Sequence, residues 1–95
     1  VLYEKGTGVA KDEAQAAQYY RQSALQGFAA AQNNLGVLYG TGRGVPLSFT
    51  EASYWFTLAA ENGDRNGISN RDAAVRRLKP EELAELERRL VSRVR

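Results

Sequence analysis

Residues 38 to 45 read LYGTGRGV, and three glycines within eight residues make the kind of loop whose backbone amides can cradle a phosphate. That chemistry also needs a lysine and a hydroxyl residue directly behind the loop and a strand leading into it. Here Val45-Pro46-Leu47 follows and no strand pattern precedes, so the parts are missing. Paired carboxylates for hydrolysis would have to come from Glu81, Glu82, Glu85 and Glu87. They fall on a surface-type helix with no evident apolar pocket to raise a carboxyl pKa. Ser23, Ser48, Ser53, Ser69 and Ser92 have neither a histidine nor an S-x-x-K lysine to activate them. The chain contains no histidine and no cysteine, which removes the commonest general base and metal ligand, the thiol nucleophile and any disulfide. These absences point away from an enzyme, and neither a cofactor nor a metal is expected.

The glycine loop has a second copy. LYEKGTGV, residues 2 to 9, stands at an offset of 36, and aligning 2–27 with 38–63 gives eight identities: Leu2/Leu38, Tyr3/Tyr39, Gly6/Gly42, Gly8/Gly44, Val9/Val45, Ala16/Ala52, Ala24/Ala60 and Gly27/Gly63. Tyr19-Tyr20 lies opposite Trp55-Phe56, and Asp12 with Gln15 lies opposite Ser48 with Glu51. A loop that recurs at fixed spacing belongs to an architecture rather than to one active site.

The elements follow from local chemistry. Asp12-x-x-Gln15 and Ser48-x-x-Glu51 both have the form of a capping box, so helices are expected to begin near 12 and 48. Gly27 and Gly63 suit the left-handed position past a helix end, which places these helices at about 13–26 and 49–62. Between them Ala31, Leu35, Leu38 and Tyr39 recur at i, i+4, i+7 and i+8, the stripe of a helix over 29–39. Gly36 interrupts that helix at a cost of about 0.5–1 kcal/mol relative to alanine, which close approach of a neighbouring helix would explain. Residues 1 to 4 then read as the tail of the equivalent helix in the first unit. Gly42 and Gly44 let the chain reverse between antiparallel helices, with Val9 and Val45 as apolar plugs. Both aromatic clusters are expected in the core, except Tyr54, which aligns with the polar Gln18 and is expected on the surface.

The segment AQNNLGVLYGTGRGVPLSFTEASYWFTLAAENG closely resembles the Sel1-like repeat in its Asn-Leu-Gly, Leu-Tyr, Gly-x-Gly-Val and Trp-Phe-x-x-Ala-Ala positions. The resemblance implies an all-α fold, an α/α solenoid of antiparallel helix pairs related to tetratricopeptide arrays. It also implies a protein-interaction or scaffolding role, which many bacterial relatives serve in the envelope, in signalling or in polar organisation. A partial repeat is expected at 1–27, a full repeat at 28–63, and a degenerate repeat with a capping helix at 64–95. The chain, lacking an initiator methionine, then reads as the C-terminal repeats of a longer bacterial protein.

In the third unit Arg71-Asp72 replaces the expected Leu-Gly, with a short helix to about 78 and a final helix opened by Pro80. Lys79 stands where serine or threonine would cap better. Leu83, Leu86, Leu90, Val91 and Val94 form one apolar stripe, as befits a terminal cap. Residues 64–95 carry nine basic and six acidic residues, +3, against −1 for 1–63 from four and five. An alternative function is therefore nucleic-acid or membrane-surface binding through this third. The four glutamates preceding the arginines on one helix match the helix dipole and argue against nucleic acid. The resemblance adds a second alternative, hydrolysis of peptidoglycan-related compounds, for which no nucleophile is in place.

With 43% hydrophobic and 25% charged residues the chain reads as one soluble domain without a transmembrane segment, in a bacterial periplasm or cytoplasm. The expected partner is a protein or peptide docked on the first helices of successive units. Asn33 and Val37, opposite the buried stripe, should point outward, and Arg77, near the end of the next such helix, adds a cation for a carboxylate or an acidic stretch.

Overall fold

The computed structural model describes residues 7–92, with side chains described from Asp12 onward. Five helices succeed one another: α1 (Thr7–Leu25), α2 (Ala29–Thr41), α3 (Phe49–Glu61), α4 (Arg65–Val75) and α5 (Pro80–Ser92). No strand occurs among the described residues, so the all-α expectation holds. α3 is central and packs against α2, α4 and α5, while α1 packs on α2. α2 and α3 are antiparallel, since Ser48 N–H donates to the Tyr39 carbonyl at one end and Asn62 meets Gln32 at the other.

Local chemistry sets most of the ends. Ser48 caps α3 by accepting from the Glu51 amide at 3.1 Å. Gly27 (φ +93) and Gly63 (φ +99) close α1 and α3 in the left-handed region, each followed by an amide reaching back five residues, Phe28 to Ser23 and Asp64 to Ala59. The expected start near 12 is wrong: α1 begins at Thr7, so Asp12, Gly8 and Val9 lie inside it. The reason sits at one aligned pair. Pro46 bars the preceding residue from helical geometry and stops α3 from growing backward, whereas its counterpart is Ala10, which lets α1 continue. The counterpart helix tail at 1–4 lies outside the described residues. α4 ends at Val75 rather than near 78, and at α5 the Glu82 carboxylate accepts from the Lys79 amide at 2.9 Å, the reaching-back half of a capping box whose other half the Lys79 side chain cannot make.

The loop between α2 and α3 reverses the chain as expected. Gly42 (φ +68) ends α2, and Gly44 (φ +77) lies so close to the Glu13 carbonyl that a Cβ there would collide with the α1 backbone. Arg43 and Glu13 pair at 3.1 Å beside it, and Val45 packs against the core.

The core centres on Leu35, 0% exposed, with Tyr39, Trp55 and Phe56. Gly36 faces Phe56: an added Cβ would stand 2.5 Å from the ring. The third unit has Asp72 at the matching place, yet α4 approaches α3 as closely through Gly67, whose Cβ would meet the Phe56 carbonyl at 2.9 Å and the Ala60 amide at 2.8 Å. The aromatic assignment needs two corrections. Tyr19 is 65% exposed, because α1 carries a helix on its Tyr20 side but nothing described covers Tyr19. Tyr54 is half-buried, with the Arg89 guanidinium 4.1 Å above its ring.

Gln32, buried on α2, donates to the Ala24 carbonyl at 3.0 Å and accepts from Asn62 at 2.9 Å, tying the ends of α1 and α3 to α2. Gln32→Leu keeps the bulk but strands both partners, so stability measured by urea unfolding is expected to fall by about 1–3 kcal/mol. An unchanged midpoint would show that water satisfies those groups.

α5 lies mainly on α3, through buried Leu86 and a 2.7 Å ion pair between Arg89 and Glu51. Its apolar stripe is wider than the surface it meets, which leaves Leu83 and Val91 exposed. Val94 lies outside the described residues.

Candidate functional site

α2 buries Ala31, Leu35, Leu38 and Tyr39, the stripe read from spacing, together with Gln32 and Gly36. Asn33 and Val37 do not project freely into solvent, contrary to expectation; both are half-buried. α2 has α3 beneath it and α1 and α4 on its flanks, so its outward residues fall into creases rather than onto an open face. Asn70 on α4 donates its amide to the Asn33 carbonyl oxygen at 2.9 Å. Val37 packs against the core edge and forms the ridge between two clefts.

The first cleft, ≈ 420 Å³, lies between α1 and α2 and includes Asp12, Glu13, Tyr20 and Arg43. Its one guanidinium is already neutralised by Glu13. The second, ≈ 280 Å³, lies where α2 and α4 meet over the start of α3. Its walls are Val37, Phe49, Phe56, Ala73 and Ala74, its rim Asn70 and Arg77, and no acidic residue lines it. The Arg77 guanidinium rests 5.0 Å from the centre of the Phe49 ring, a cation–π contact that holds a cation at an apolar opening.

Of the three residues singled out by sequence, Val37 and Arg77 line this cleft, while Asn33 does not line it and is hydrogen-bonded to Asn70, which does. Phe49, Gly40, Ala73 and Asn70 escaped the sequence reading. Asn70 carried a usable signal, since it repeats Asn34 at offset 36. Tyr54 is on the α5 side of α3, away from this cleft. Of the four glutamates considered for hydrolysis, Glu82 serves as a helix cap and Glu81, Glu85 and Glu87 are exposed along α5. Among the described residues no group of acidic side chains could hold a metal ion, and no helix is long and apolar enough to cross a membrane.

Antiparallel helix pairs repeating at 36 residues, with a mixed apolar and polar crease between first helices, define a helical-repeat protein. The Sel1 repeat model matches residues 1–28 and 29–64, more than half of the chain, and the chain belongs to that family. Neither the comparison with curated proteins nor that with solved structures gave a match.

Proposed function

We propose that the chain is a protein- or peptide-binding module whose partner docks in the α2–α4 cleft, against Asn33, Val37 and Arg77. Sel1 repeats are generally protein-interaction modules and typically non-catalytic. The observation that carries the placement is the convergence of residues from two successive units on one apolar opening with polar groups at its rim. In this reading 1–27 is a partial unit, 28–63 a full one and 64–95 a degenerate unit with its cap, and the cleft is the crease between the last two. A scaffold in bacterial envelope, signalling or polar organisation is the setting it fits.

A photo-crosslinking residue at position 37, with position 19 as the exposed control, tests the placement. The partner is expected to crosslink at 37. With that partner purified, Val37→Asp should weaken binding at least about tenfold, equivalent to about 1.4 kcal/mol, while the helical circular dichroism signal persists. Crosslinking at 19 alone, with full binding by the folded variant, would move the site to another face.

A further inference from the structure

We infer that the occupant of this cleft is an extended, acidic peptide segment, with one apolar side chain in the slot and carboxylates of neighbouring Asp or Glu residues on the cation side. The inference rests on the reading that the cleft is the interaction site and adds the chemistry of what enters it.

Charge carries it. Arg43, Arg71 and Arg89 each have an acidic partner, at 3.1, 3.3 and 2.7 Å. Arg76, Arg77 and Lys79 are all exposed, and none is in an ion pair among the described residues. Arg77 therefore stands unneutralised at the mouth of a cleft that has no acid of its own, with two further unneutralised cations beside it in the chain. A guanidinium offers five fixed donors and a carboxylate accepts two of them side by side.

Geometry limits the shape. Asn33 and Asn70 spend one acceptor and one donor on each other, so the Asn33 amide hydrogens and the Asn70 carbonyl oxygen are left to meet a peptide main chain. From Asn70 to Val75, where α4 ends, the chain advances about 7.5 Å at helical rise, and Arg77 lies two residues further on. Extended peptide rises about 3.3 Å per residue, so three residues connect the amide pair to the guanidinium. The middle one faces Val37, Ala73 and Phe56.

Fluorescence anisotropy with a labelled peptide, acetyl-Gly-Ser-Leu-Asp-Glu-Asp-Ser-Gly-amide, tests this. Binding is expected to weaken at least about tenfold when Asp and Glu become Asn and Gln, when Leu becomes Ser, or when the protein carries Arg77→Gln. Raising salt from about 50 to 300 mM should weaken it as well. Equal binding of the Asn/Gln analogue would overturn the acidic requirement while leaving the cleft as an apolar interaction site. Tighter binding of a Gly-Ser-Leu peptide with a free terminal carboxylate would overturn the side-chain source, and preference for an octauridylate would overturn a peptide altogether. Failure of every peptide, with a partner still crosslinking at position 37, would sink this inference alone; loss of that crosslink too would sink the proposed site.

Discussion

Leu35→Ala is expected to remove about 2–5 kcal/mol of stability and to lower the melting temperature by more than about 10 °C. Leu35 is 0% exposed and sits where α2 meets the Trp55 and Phe56 face of α3, so truncation leaves a cavity walled by aromatic rings and helix backbone. Those walls cannot collapse without parting α2 from α3, the pairing on which the clefts depend. Leu25→Ala provides the control: at 70% exposure it should change stability by less than about 0.5 kcal/mol. Differential scanning fluorimetry of both variants decides the matter. Similar losses at the two sites would mean that Leu35 is not the centre of the core.

Gly36→Ala is expected to destabilise by about 1–3 kcal/mol, although alanine is the better helix former by about 0.5–1 kcal/mol. The reversal comes from Phe56, whose ring would lie 2.5 Å from the new methyl and is 5% exposed, so it must shift out of its packed position. In a Phe56→Leu background the obstruction is gone. There the same glycine replacement should become neutral or stabilising, giving a coupling of about 1–3 kcal/mol in a double-mutant cycle by urea unfolding. If the replacement costs the same in both backgrounds, Gly36 is not making room for Phe56 and the tight α2–α3 approach has another origin.

The two predictions also mark what spacing conveys. The stripe Ala31, Leu35, Leu38 and Tyr39 was legible because helix periodicity places those residues on one face, whatever covers it. The close approach at Gly36 was legible because a glycine inside a helix carries a cost that only packing offsets. Asp12 misled because a capping sequence permits a helix start without requiring one, and Ala10 offers nothing to stop the helix where Pro46 does. Tyr19 misled because its match to Trp55 reports equivalence of position, whereas burial depends on which helix lies above it.

For the candidate site, residue type selected Asn33, Val37 and Arg77, and their roles came from neighbours remote in sequence. Periodicity could say that Asn33 and Val37 face away from the buried stripe. It could not say that α4 comes alongside, so the amide pair with Asn70 and the apolar slot against Ala73 and Phe49 were not readable.

Capping, periodicity and repetition act over short stretches of chain, which is why the existence and order of the helices, the 36-residue repeat and the Sel1 resemblance could be read before any contact was known. The tertiary structure alone decided that Gly67 performs in α4 the close approach that Gly36 performs in α2, that Arg89 covers Tyr54, and that Arg77 stands unpaired at the mouth of a cleft built from two units. These depend on groups 7 to 40 positions apart meeting in space, and burial and charge pairing are set by such meetings rather than by the identity of any residue.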